Sequence, residues 1–167
     1  TFVREIEHLD FPGAVEKLAA KAGVTLHYTD VREGEGRMRR GRLVEAMGRA
    51  VDFYHQRLLS GSDAARARGY LRSRGFDADE VRHFQVGWAP DSWDELAKAL
   101  RLPAEEFVDA GLGFRNRNGK LTDFFRGRVL FPIFDAQGSP AGFGGRILPG
   151  ADGPKYKNSA DNRIYNK

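Results

Sequence analysis

Cysteine is absent from this 167-residue chain, which removes disulfides, thiolate nucleophiles and cysteine-based zinc sites from it. No run approaches the roughly 20 apolar residues needed to span a bilayer, and no charged-then-apolar leader opens the chain. The four histidines, His8, His27, His55 and His83, are scattered without ligand spacing and read as surface or packing residues. Acid is scarce in the final third. From Gly113 to Lys167 ten basic side chains face four acids, Asp123, Asp135, Asp152 and Asp161, a net charge of +6. Residues 1–112 hold 17 basic and 19 acidic side chains, a net charge of −2. The overall +4 therefore hides a polarised molecule. One-sided basic charge is the footprint of a phosphate-binding surface, because each paired phosphate releases condensed counterions. Solvated basic faces are common, so composition alone favours nucleic acid only weakly.

What is present suffices for a core. Apolar residues make up 41% of the chain, with 12 Phe, 5 Tyr and 2 Trp, in keeping with one domain and a small appendage. Thr1 in place of Met and an ending at Tyr165-Asn166-Lys167 lead us to expect an excised piece of a longer protein.

The first two-thirds reads as helical. Phe2, Val3, Ile6 and Leu9 have helical spacing, and a second helix is expected from Pro12 to Ala22, closed by Gly23. Val24–Tyr28 reads as a short extended exit. Thr29–Arg42 is charged and carries Gly34, Gly36 and Gly41, so it is expected to be a flexible linker and a domain boundary. Leu43, Met47, Ala50, Tyr54 and Leu58 mark the clearest helix, Leu43–Leu59. Ser62 and Asp63 open a helix to Arg74. Asp77 with Glu80 forms a capping box for a short helix ending at Phe84. Gln85–Ala89 is extended, Pro90–Leu100 helical with Asp91, Asp94 and Glu95 at its start as capping and macrodipole groups, and Pro103–Ala110 helical. Trp88 and Trp93 bracket a turn and read as core.

The period then changes. Asn118-Gly119 is a tight-turn dipeptide between Phe114–Asn116 and Lys120–Phe124. Arg128–Phe134 and Pro140–Leu148 read as paired strands. Helices first and antiparallel hairpins later give an α+β fold with an N-terminal helical appendage.

Two stretches can carry chemistry. In Asp123-Phe124-Phe125-Arg126-Gly127-Arg128, the arginines lie two apart and share a face if the strand includes both. Gly142, Gly144 and Gly145 precede Arg146, whose forked donors match phosphate oxygens. A hairpin with a glycine bulge and solvated arginines is the competing reading. In Gly153-Pro154-Lys155-Tyr156-Lys157-Asn158-Ser159, lysines flank a ring able to stack on a base or sugar. An ordinary surface loop with a packed tyrosine fits equally well.

Taken together, D-x-F-R-x-R-x-x-F-P-I, then G-F-G-G-R, then P-K-Y-x-N-S closely resembles the RNA polymerase core of bacterial DnaG-type primases. Upstream, Leu9-Asp10-Phe11-Pro12 through Leu18-Ala19, Tyr70-Leu71-x-x-Arg74-Gly75 and Val86-Gly87-Trp88-Ala89-Pro90 are similar to family motifs as well, so the resemblance covers essentially the whole chain. It implies that residues 1–28 are the helical tail of a zinc-binding module, 29–42 a linker, and 43–167 the N-terminal subdomain of the polymerase core. By the same resemblance, the zinc ribbon would precede Thr1 and the metal-binding Toprim subdomain would follow Lys167. Zn2+ and Mg2+ or Mn2+ are then expected in those parts and no metal or catalytic residue in this one, which alone is expected to be inactive. The resemblance assigns Arg146, Lys155, Tyr156, Asn158 and Lys167 to a basic ridge for template strand and incoming nucleotide. Arg126 and Arg128 match nearby arginines, binding or structural. Phe124 stands where the family often has a basic residue, and Ser159-Ala160-Asp161-Asn162 replaces S-P-E-T. The implied function is synthesis of short RNA primers on single-stranded DNA from ribonucleoside triphosphates, in the cytoplasm at the replication fork, with a replicative helicase reached through another region. A non-catalytic single-strand-binding module is the alternative.

Overall fold

A computed structural model describes residues 11–23 and 31–165. The expected helix at residues 2–9, the extended exit at 24–28 and Lys167 lie outside these. Helix α1 is Phe11–Ala22, capped by Gly23 at φ 66°.

Helix α2 runs from Val31 to Ser60, so the stretch expected to be a linker is helical from Val31 onward. Three glycines there each cost about 0.5–1 kcal/mol of helix stability. Arginines on the same turns find fixed acids elsewhere. Arg39 donates to Asp109, Arg42 to Glu106 at 2.8 Å and Arg40 to Asp135 at 3.4 Å. Arg49 reaches the Leu100 carbonyl at 2.6 Å. These contacts, and propagation from the apolar helix that follows, hold the charged turns in register. Sequence periodicity misses this because the stabilising partners lie 64 to 95 residues away.

A short 3-10 turn, Ser62–Ala64, leads into α3, Ala65–Ser73. Helix α4, Ala78–His83, starts on the expected capping box, with both Asp77 and Glu80 bonds formed. Strand β1 is Gly87–Ala89. Helix α5 covers only Glu95–Leu100, leaving 90–94 irregular, and α6 is Ala104–Asp109. A two-stranded ribbon pairs β2, Gly113–Arg115, with β3, Leu121–Asp123. The main antiparallel sheet adds β4, Arg128–Phe134, β5, Pro140–Ile147, and β6, Tyr156–Asn158, in the order β1-β4-β5-β6. The fold is α+β as expected. Strand β6 forms where the sequence suggests only a loop.

Antiparallel register fixes which residues share a face. Trp88, Val129, Arg146 and Tyr156 form one row across the sheet. The adjacent row, Gly87, Leu130, Gly145 and Lys157, points the other way. The face carrying Leu130 packs on α2: Tyr54, fully buried, meets Phe143 edge-on at 5.5 Å, and Phe143 meets Phe125 at 5.9 Å. The opposite face buries Trp88, Val129 and Leu148 against Leu58, Ala67 and Leu71. Each such large side chain contributes about 1.5–3 kcal/mol on burial, so two half-cores lock the sheet between α2 and α3. Among the described residues no helix is long and apolar enough to cross a membrane.

Candidate nucleic-acid interface

A cavity of about 520 Å³ opens on the Leu130 side, where the 90–94 turn, β3, the start of β4 and the 151–154 loop meet. Three cations enter it. Arg126 stacks its guanidinium carbon 3.3 Å from the Trp93 ring centroid and donates to Asp91 at 3.2 Å. Arg128, 6% exposed, donates to the Pro154 carbonyl at 2.8 Å. Lys157 donates to the Phe124 carbonyl at 2.6 Å, with its ammonium 3.9 Å from that residue's ring centroid.

Gly127 makes this convergence possible. At φ 56° it adopts a backbone that side chains resist, turning the chain sharply before β4. Arg126 therefore precedes the strand, and the two arginines meet through the turn instead of sharing a strand face. Burial lowers the Lys157 pKa from its usual lysine value, and the Arg128 and Arg126 charges lower it further. Burial also lowers that of Arg128. Like charges crowded in a partly dry cavity disfavour one another's charged forms, an environment in which an added anion is favoured.

Three acids line the cavity with these cations, Asp91, Asp123 and Asp152; the first two are engaged, while Asp152 is exposed and forms no ion pair among the described residues. Asp91 holds Arg126. Asp123 is 4% exposed, and its carboxylate accepts from the Leu96 amide at 2.8 Å and the Ala97 amide at 3.0 Å. The expected capping by Asp91, Asp94 and Glu95 is thus replaced at α5 by a carboxylate from β3. Asp94 instead pairs with Lys98 at 2.9 Å and Glu95 with Arg57 at 3.1 Å. Burial outweighs the two amide bonds and raises the Asp123 pKa to about 6.

Trp93 is not core: 65% exposed, it presents a ring to solvent with Arg126 beside it. Phe114, 44% exposed, lines the same cavity. Trp88 is core as expected, its indole N–H donating to Asp63 at 2.9 Å.

Arg146, Tyr156 and Asn158 occupy the opposite face, with Lys155 just before β6. Arg146 donates to the Tyr156 hydroxyl, its guanidinium carbon 5.0 Å from that ring and 5.6 Å from the Tyr70 ring. Its Nε is buried without a hydrogen-bond partner. The Lys155 ammonium lies 5.6 Å from the Tyr156 ring, and Asn158 is exposed opposite Gly144. Ser159, next in the motif, is fully buried and structural: its hydroxyl accepts from the Phe143 amide at 2.9 Å.

The expected ridge is therefore split by the sheet. Arg126 and Arg128 lie on one side; Arg146, Tyr156 and Asn158 lie on the other, with Lys155 just before β6. Lys157, the third cation of the cavity, is one of the two lysines flanking Tyr156 in the sequence but is not among the residues the resemblance assigns to the ridge. Reading Tyr156–Asn158 as a strand would have found it, since period-two alternation sends Lys157 away from Tyr156. Among the described residues no group of three His, Asp or Glu could hold a metal ion.

Comparison with known proteins identifies the family. A DNA primase from Streptomyces coelicolor is 43% identical over all of this chain, which spans 27% of that relative. The RNA polymerase domain of Mycobacterium tuberculosis primase DnaG, crystallised with a double-stranded DNA oligomer bearing a 6-nucleotide overhang, superposes with a TM-score of 0.72. It is 41% identical, with 76% of this chain and 40% of that one covered. The Aquifex aeolicus primase, comprising zinc-binding and RNA polymerase domains, gives 0.69 at 32% identity, covering 99% of this chain and 39% of that one. This chain thus spans about a quarter of the curated relative's length. Residues 53–167 match the family described as the N-terminal domain of the DNA primase catalytic core, and the chain belongs to that family.

Proposed function

We propose that this chain is the template-binding part of a DNA primase that makes short RNA primers on single-stranded DNA from ribonucleoside triphosphates. The observation that carries this reading is the convergence of Arg126, Arg128 and Lys157 in one cavity beside the exposed Trp93 ring. Cations supply backbone contacts and a flat ring supplies a sequence-tolerant stacking surface, the pairing that single strands require. The opposite face, with Arg146, Lys155, Tyr156 and Asn158, and with Lys167 beyond the described residues, is assigned to the same strand's continuation or to the incoming nucleotide. The segment binds and positions. The divalent metal and zinc sites, and the contact with a replicative helicase, belong to other parts of the longer protein, which acts in the cytoplasm at the replication fork. In the division we propose, residues 1–28 are the tail of the zinc-binding module and 43–167 belong to the core, with 29–42 joining them.

The test is fluorescence anisotropy on single-stranded DNA across a salt series. Arg126→Ala and Lys157→Ala should weaken binding and each lower the salt slope by about 0.7. Parent-like affinity and slope in both variants would remove the cavity from the binding path. In a synthesis assay with template, ribonucleotides and magnesium, the segment alone should bind without making primers.

A further inference from the structure

The β2–β3 hairpin carries Arg115, Arg117 and Lys120 within eight residues and no acid between Gly113 and Thr122. All three are exposed, and among the described residues none forms an ion pair. This contrasts with α2, whose arginines at 39, 40 and 42 each meet an acid. Clustered like charges repel one another, and no acid among the described residues pairs with the hairpin's.

The hairpin is nonetheless built rigidly. The Asn116 side-chain oxygen accepts from the amides of Asn118 at 2.9 Å and Lys120 at 3.0 Å. The Arg115 guanidinium donates to the Gly119 carbonyl at 3.0 Å, and the Gly119 amide to Asn116 at 2.9 Å. At the base, a Cβ on Gly113 would fall 2.1 Å from the Thr122 carbonyl oxygen and 2.4 Å from the Phe107 ring. Only glycine lets the ribbon press this closely on α6. Phe114, one residue on, lines the cavity that also holds Trp93. A strand leaving that cavity past Phe114 meets the hairpin next.

We propose that this hairpin is a second phosphate-binding contact, in which Arg117 and Lys120 hold the sugar–phosphate backbone of a single strand that extends out of the cavity. The inference rests on the cavity reading above and adds a direction to it.

The experiment uses the whole chain and two labelled single-stranded oligonucleotides, one of about four nucleotides and one of about twelve, within the range a single binding surface covers. Arg117→Ala combined with Lys120→Ala leaves the turn's backbone bonds intact and should melt with the parent. On the longer strand the double variant should lose about 1.4 units of salt slope, two single-strand contacts; on the shorter it should bind as the parent does. An unchanged slope on the longer strand overturns the inference, and so does an equal loss at both lengths. Arg126→Ala serves as the control for the cavity. If it binds the short strand normally, the cavity reading fails, while the hairpin result on the longer strand is read independently.

Discussion

The guanidinium of Arg126 lies over the Trp93 ring, its carbon 3.3 Å from the centroid, while the same group reaches Asp91. An exposed tryptophan is thereby held in one orientation by a cation that also faces the cavity. Such a stack contributes about 0.5–1 kcal/mol at an exposed site, too little to decide the fold and enough to fix a platform. Arg126→Ala should therefore melt close to the parent yet lose single-strand affinity, with a changed Trp93 emission spectrum. Arg126→Lys keeps the charge and loses the planar stack, so it should restore the salt slope but not the emission. Full recovery of both by lysine would show that charge alone matters.

Arg128 differs from Arg126 although the two are adjacent in the motif. It is buried, and its bond to the Pro154 carbonyl ties the 151–154 loop to β4. Arg128→Ala should lower stability by about 1–3 kcal/mol, since a buried cation's charge-assisted bond to the loop is lost. Arg146→Ala and Lys155→Ala, on the opposite face, should reduce affinity and salt slope with little change in melting. Denaturation curves set beside anisotropy separate the two groups. A parent-like melting curve for Arg128→Ala would return it to the binding surface.

Legibility followed the range of the forces involved. Strand β4, the Asp77–Glu80 capping box and the Asn118-Gly119 hairpin were readable because their determinants are local. The charged start of α2 was not, since its ion pairs are with Glu106, Asp109 and Asp135, and a glycine count points to a linker. The site was half readable. The motif located Arg128, Arg146 and Tyr156, but the sheet's alternation puts Arg128 and Lys157 on one face and Arg146 and Tyr156 on the other, and placing Lys157 depends on recognising β6. Trp93 looks like core from the sequence because tryptophan usually is, and the Arg126 side chain that stacks on it lies 33 positions away.

The α2 ion pairs give a prediction about the boundary between core and appendage. Exposed pairs contribute about 0–1 kcal/mol each and weaken with salt. Amides of residues 35–42 should exchange more slowly than a free helix at low ionic strength and faster near 1 M salt. Glu106→Gln with Asp109→Asn should mimic high salt without changing the melting of the Leu43–Ser60 half. Hydrogen exchange resolved by peptide measures this, and salt-independent protection would mean that helix propagation alone holds these turns.

Asp123 sets the sign of a pH effect opposite to that of most aspartates. Its folded pKa of about 6 lies above the ordinary 3.8 because burial outweighs the amide bonds from Leu96 and Ala97, while Asp94 and Glu95 at the start of α5 push it up further. Across the core, Tyr54 is held protonated by its own burial and by the Asp123 charge. Because the folded state takes up the proton first, ionised Asp123 opposes folding above about pH 6, by roughly 2–3 kcal/mol for a shift of this size. Acidification relieves that cost progressively until the unfolded carboxyl also protonates near 3.8. Asp123→Asn keeps one acceptor and removes the ionisation, at a pH-independent expense of about 1–3 kcal/mol for an amide bond left unmade. The melting temperature of the parent should therefore gain on the variant as pH falls from about 7.5 to about 4.5. A constant gap across that range, or one moving the other way, would show that Asp123 does not titrate there and that the Leu96 and Ala97 amides dominate its environment.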